Sequence, residues 1–203
     1  MSKIMVVKRS VLFGKDYFQG FKRHNEIDFE KRILENYEYV ERDVAEKNEQ
    51  LKQPIGYCVL LDPKTKKIFL YRRATRDEDY KEKRLQGKWS IGIGGHIERA
   101  DVKEENPIRG SMLRELKEEV GLDNVLKIET LGYINDDSNS VGRVHFGILY
   151  VVEIENELSW ESKEIEQGKM VGIEEFARMC ESDAENVESW SCIALNGLKE
   201  YIS

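Results

Sequence analysis

Three features of this 203-residue sequence predict an α+β fold, a mixed β-sheet held between helices as an α/β/α sandwich. Short runs of β-forming residues bounded by turn residues recur at 55–61, 68–72, 89–97, 128–134 and 143–154. One strongly capped helix falls in their midst, after Asn106-Pro107. A further amphipathic segment closes the chain at 187–202, and no internal repeat is found.

Residues 4–13 read as a short strand. Phe13-Gly14 and Gly20-Phe21 read as turns around Tyr17 and Phe18. Residues 29–48 have helical character, with Phe29, Ile33 and Tyr37 at four-residue steps, and Gln53-Pro54 marks a boundary. The strands at 55–61 and 68–72 form a hairpin through Asp62-Pro63 and the lysine-rich turn that follows. The charged stretch 76–88 reads as a loop or short helical excursion. Trp89, Ile91, Ile93 and Ile97 alternate with small residues, giving a strand that ends in the Gly94-Gly95 turn.

The central helix should run from Pro107 to about Val120. Ile108, Met112, Leu116 and Val120 form its apolar face, and Gly121 stops it. A strand at 128–134, a polar turn at 136–140, a long buried strand at 143–154 and helices at 173–180 and 187–202 complete the order.

The net charge of −7 is unevenly placed. Residues 1–54 carry 11 basic and 10 acidic groups, and residues 151–203 carry 4 and 13. The acidic excess therefore sits in the last quarter, which argues against a broad nucleic-acid face. No run approaches membrane-spanning length, and no secretory leader pattern is present, so no membrane partner is expected. Cys58, Cys180 and Cys192 are odd in number and widely spaced. They suggest neither a disulfide framework nor a metal pair, and predict a reducing, cytoplasmic setting.

The chemistry-bearing cluster is Glu115, Glu118 and Glu119. On a helix, Glu115 and Glu119 are one turn apart with Glu118 beside them. Alone, this pattern fits a solvated acidic face as well as a cation site. The preceding Gly94-Gly95 turn favours a metal–diphosphate site, because glycine lets backbone approach a phosphate closely. Oxygen-only ligands suit Mg²⁺ or Mn²⁺.

The segment Arg114-Glu115-Leu116-Lys117-Glu118-Glu119-Val120-Gly121-Leu122, with Gly95 upstream, resembles the signature of the Nudix hydrolase superfamily, the MutT-like proteins. That signature is glycine, five residues, glutamate, seven residues, then Arg-Glu-apolar-any-Glu-Glu-any-Gly-apolar. Arg114 to Leu122 match its second half position by position. Arg114 lies nineteen residues after Gly95 rather than fourteen, so five residues are inserted, and Asn106 stands where the first glutamate is expected, with Glu105 and Glu98 nearby.

The resemblance implies a Nudix fold over residues 55–155. Residues 1–54 would be an N-terminal extension packed on that core, and 156–203 a C-terminal helical extension of the same domain. It implies a hydrolase of a nucleoside diphosphate derivative or related organic diphosphate, with metal-activated water attacking phosphorus. Glu115, Glu118, Glu119 and the Gly94 carbonyl would ligate one to three Mg²⁺ or Mn²⁺ ions, and Arg114 would hold the carboxylates in place. Glu115 or a downstream carboxylate would be the base, with Glu164, Glu166 and Glu153 as further acids. A homodimer is a family-based expectation.

For substrate, the candidates are Arg72 and Arg84, ahead of Arg73 and Lys88, together with Gly95 and His96. His145 reads as a core residue. Tyr57, Tyr71, Trp89, Tyr133 and Phe146 divide between the core and a ring pocket. Two other functions stand beside hydrolysis: a nucleotide-binding or regulatory module on the same fold, and an isomerase of small organic diphosphates.

Overall fold

The computed structural model describes residues 2–75, 85–103, 106–155, 158, 160 and 162–202. In chain order the elements are β1 (Lys3–Lys8), α1 (Arg9–Phe13), β2 (Gly20–Arg23), α2 (Phe29–Asn36), β3 (Glu38–Glu41), α3 (Arg42–Ala45), β4 (Leu51–Asp62), β5 (Lys67–Arg73), β6 (Trp89–Ser90), β7 (Gly92–Ile93), α4 (Pro107–Val120), β8 (Lys127–Asn135), α5 (Ser140–Val144), β9 (His145–Glu153), β10 (Ile165–Gly172), α6 (Ile173–Ser182) and α7 (Ser189–Ile202).

The main sheet runs β10-β5-β4-β9-β8-β2. It is mixed, because β4 and β9 pair in parallel while β8–β9, β4–β5, β10–β5 and β2–β8 are antiparallel. β1 adds to β4 and carries β3, while β6 and β7 pair with β5 and β4. Alternation along β4 feeds both faces. Cys58 and Leu60 pack with Met112 and Leu116 of α4 and with Phe29 and Ile33 of α2. Tyr57, Val59 and Leu61 pack with Phe176 of α6 and with Ala194 and Leu198 of α7. The α/β/α sandwich follows from burying the two faces of one sheet under helices.

Several elements differ from the sequence expectation. The segment 4–13 is extended only to Lys8 and then turns into α1. The segment 29–48 is helical only over Phe29–Asn36 and Arg42–Ala45, interrupted by Glu38–Glu41, which pairs with β1 through contacts such as Ile4 opposite Val40. Gly20-Phe21 belongs to strand β2, with Phe21 opposite Ile134. The strand expected at 143–154 begins at His145, the residues before it forming α5. Strand β10 was not anticipated, because its sequence is largely polar and lies at the sheet's end. Cys180 of α6 and Cys192 of α7 are joined in a disulfide, with Cα atoms 5.7 Å apart, which corrects the expectation that the cysteines do not pair. Packing of α6 against α7 brings the two together, a contact that spacing alone does not reveal. Among the described residues no helix is long and apolar enough to cross a membrane.

Candidate active site

Helix α4 is fixed at both ends by its sequence. The Asn106 side chain accepts from the amides of Ile108 and Arg109 at 3.0 and 3.2 Å, with Pro107 in the first turn. Asn106, which occupies the place of the signature's first glutamate, is thus the helix cap. At the other end Gly121 takes φ +64°, and its amide and that of Leu122 close back onto Lys117 and Leu116 at 3.1 and 3.2 Å. The apolar stripe Ile108, Met112, Leu116 and Val120 faces the sheet, which carries Glu115 and Glu119 toward the glycine turn.

Arg114 organises this corner. Its guanidinium grips both oxygens of Asp101 and donates to Glu115 Oε1 at 2.7 Å, Glu118 Oε2 at 3.3 Å and the His96 carbonyl at 3.1 Å. The Glu115 carboxylate lies so close to Gly95 that a Cβ there would sit 2.7 Å from its carboxyl carbon. Glu118 is the most exposed of the three acids. Glu119 is 6% exposed, and its Oε2 is buried with no hydrogen-bond partner among the described residues.

Burial raises the Glu119 carboxyl to about 8, against the opposing pull of Arg73, with Glu164 and Glu115 adding to the rise. Burial also raises Glu115, while Arg114 lowers it. Half-buried Glu115 beside the glycine turn and buried Glu119 with its unpartnered oxygen form an acceptor-rich set. A hard divalent cation fits it: the ligands are carboxylate oxygens and one of them lacks a partner among the described residues.

These groups open onto a cavity of about 800 Å³. Gly94, Gly95, His96, Glu115, Glu119 and Glu164 line it together. Arg73 lines it as well, paired with buried Glu188 at 3.6 Å. Arg72 is not among the cavity residues, and its Nε donates to the Gly87 carbonyl at 3.0 Å. Arg84, Glu105 and most of the 76–88 stretch lie outside the described residues.

Of the five aromatics considered for a ring pocket, Tyr57 lines the cavity. Tyr71, Tyr133 and Phe146 are buried in the core under α4, and Trp89 packs on the other face. The Tyr57 hydroxyl meets Ser191 Oγ at 2.6 Å and donates to Glu188 at 3.2 Å. His145 is both buried and cavity-lining, and its Nε2 lies 3.2 Å from Nε2 of His96.

Asp101, Glu188 and Trp190 escaped the sequence reading. Asp101 lies within the five-residue irregularity of the signature. Glu188 and Trp190 come from the acidic C-terminal quarter, where nothing local separates a cavity residue from a surface charge.

This arrangement of glycine turn, carboxylate helix and mixed sheet defines a Nudix domain. The NUDIX domain model matches residues 52–190, and the chain belongs to the Nudix family. It is 34% identical over 199 residues to protein YmaB of Bacillus subtilis (strain 168), with 93% of each chain covered. The crystal structure of Tm1382, described as a Nudix hydrolase, superposes with a TM-score of 0.78 at 28% identity, covering 98% of this chain and 99% of that one. The Nudix domain of Shewanella oneidensis NrtR, solved with ADP ribose, shares the fold at a TM-score of 0.56 and 15% identity, over 75% of this chain and 89% of its own.

Proposed function

We propose that the protein is a hydrolase of a diphosphate linkage in a nucleoside diphosphate derivative or related organic diphosphate, with Mg²⁺ or Mn²⁺ as its cofactor. The observation that carries this reading is the pair of Glu115, half-buried against Gly95, and Glu119, buried one helical turn on with one carboxylate oxygen unpartnered among the described residues, both lining one cavity. Glu115, Glu118, Glu119 and the Gly94 carbonyl would hold the cation. When bound, it neutralises phosphate oxygens and activates water.

The chain's own residues do the rest. Arg114 fixes the Glu115 carboxylate so that it need not reorganise during reaction. Glu119 holds a proton near neutral pH in the cation-free protein, and must release it to serve as an anionic ligand. Glu164, which lines the same cavity as Glu115 and Glu119, would be the downstream carboxylate that accepts a proton, with Glu115 as the alternative base. Arg73 supplies positive charge on the same wall. Tyr57 and Trp190 offer aromatic surface to a base or ring, meeting edge-on at 5.6 Å between centroids.

The test is a substrate panel assayed with Mg²⁺ or Mn²⁺. It comprises nucleoside triphosphates, dinucleotide cofactors, ADP-ribose, nucleotide sugars, diadenosine polyphosphates and small organic diphosphates. Turnover of at least one member, lost in Glu119→Gln, is the expected result. Turnover unchanged in that variant sinks the assignment of Glu119. A panel bound but not cleaved converts the reading to a nucleotide-binding module.

A further inference from the structure

We propose that Glu46, His96 and His145 form a second metal site, selective for a divalent transition cation such as Zn²⁺ and separate from the glutamates of α4. Nothing in the Nudix signature asks for it. Glu46 lies in the N-terminal segment just past α3, His96 follows the glycine turn, and His145 opens β9. Their ligand atoms all lie within 4.8 Å of one another. The two Nε2 atoms are 3.2 Å apart, and Glu46 Oε1 is 3.7 Å from His96 Nε2. Two nitrogens on a tetrahedral Zn²⁺, each about 2.0–2.1 Å from the metal, sit roughly 3.3 Å apart.

The tautomer of His145 fits a ligand. Its Nδ1 lies 2.8 Å from the Val141 carbonyl, which only accepts, so Nδ1 carries the proton and Nε2 presents its lone pair. The surroundings are rich in acceptors. His96 Nε2 faces His145 Nε2, the Glu46 carboxylate and Gln53 Oε1, the last at 2.9 Å. At 3.7 Å the Glu46 oxygen is beyond hydrogen-bond reach of that nitrogen, and one imidazole N–H points at only one of the other two acceptors, whereas a cation can draw all of them in. Gln53 is fully buried with its oxygen on this cluster, and its amide nitrogen has no partner among the described residues.

The backbone at both histidines is fixed, since the His96 carbonyl accepts from Arg114 and the His145 carbonyl accepts from Lys52 Nζ at 3.0 Å. Arg42 Nε donates at 3.2 Å to Glu46 Oε1, the oxygen that faces His96, so a cation would share that carboxylate with Arg42 or draw in its other oxygen. Imidazole nitrogens select against Mg²⁺ and for the Zn²⁺ class. A cation here would tie the N-terminal segment to β9 and to the turn bearing Gly94 and Gly95.

The test uses the full-length protein, freed of metal and then titrated with Zn²⁺ by calorimetry in excess Mg²⁺, which occupies oxygen-only sites. Co²⁺ serves as a visible-absorption probe. One equivalent of Zn²⁺ should bind the wild type and Glu119→Gln alike, with the intense absorption of a low-coordinate Co²⁺ site. Glu46→Gln and His96→Gln should each weaken Zn²⁺ by at least about tenfold, with unchanged far-ultraviolet circular dichroism. Two variants on different elements separate ligand loss from a folding defect in either one. Absence of Zn²⁺ binding in the wild type overturns the proposal. So does binding that survives both substitutions, or binding abolished by Glu119→Gln alone.

Discussion

Arg114 and Asp101 form a two-pronged ion pair, Nε to Oδ1 at 3.0 Å and Nη2 to Oδ2 at 3.2 Å. The same guanidinium still reaches Glu115, so Asp101 determines where a putting-in-place residue of the carboxylate helix can sit. Asp101 is itself fixed, since its Oδ2 accepts from the Glu98 amide at 2.8 Å. Asp101→Asn keeps the size but loses the charge-assisted grip. We expect kcat/KM to fall by about 10- to 100-fold with weakened Mn²⁺ binding. Arg114→Lys should do at least as much damage, because a lysine cannot bind two oxygens of Asp101 side by side. An Asp101→Asn enzyme with wild-type kcat/KM and Mn²⁺ affinity would show that Arg114 needs no anchor.

Gly95→Ala isolates the role of the turn. The three heavy atoms nearest the added methyl would all belong to the Glu115 carboxylate. That carboxylate ends a flexible side chain, so it can swing aside without disturbing the backbone. The expected result is a stability change below about 1 kcal/mol with activity reduced at least about tenfold. Thermal unfolding and steady-state kinetics on one preparation check both halves. A large stability loss would locate the clash in the backbone instead.

The site was legible where chemistry is local and obscure where it depends on long-range contacts. The run Arg114 to Leu122 carries its acids at helical spacing between a cap and a glycine stop, so helix, register and acidic face were read together. The choice between Arg72 and Arg73 was not legible, because adjacent strand residues face opposite ways and only the sheet's packing says which side holds the cavity. Strand β3 was hidden behind helical periodicity that its pairing with β1 overrides. His96 and His145 are 49 residues apart, and only the parallel pairing of β4 with β9 and the bridge from Ile55 to His96 bring their rings together.

Glu119 should make cation-free stability fall with rising pH. Its folded carboxyl titrates near 8, above the ordinary carboxylate value of 4.5. For a raised acid, the stabilising contribution is complete below the unfolded value and is lost as pH climbs through the folded one. Between pH 4.5 and 8 the wild type should therefore lose stability with a slope of up to about 1.4 kcal/mol per pH unit from this group. Glu119→Gln should lack that component and be more stable than the wild type at pH 8 in chelator. Urea unfolding across the range measures it. Parallel pH profiles for the two proteins would mean that Glu119 is not held in the protonated form.

Asp137 acts in the opposite direction, at the junction of the N-terminal segment and the sheet. Burial would raise its carboxyl, but hydrogen bonds from Arg9, Lys52 and Tyr17 outweigh this and hold it well below the usual range. Lys52 is fully buried, and Asp137 is its ion-pair partner at 2.8 Å, with the carbonyls of Gly142 and His145 completing its contacts. For a depressed acid, the contribution is present above the unfolded value, about 3.9, and disappears as pH falls through the folded one. Asp137→Asn should cost about 3 kcal/mol at pH 7, because it leaves the Lys52 ammonium buried without its counter-charge. The two proteins should converge in stability as acid protonates the wild-type carboxyl. Lys52→Met in the Asp137→Asn background should recover part of the loss by removing the stranded charge. A double variant no more stable than Asp137→Asn would show instead that the carboxylate's bonds to Arg9 and Tyr17 carry the junction.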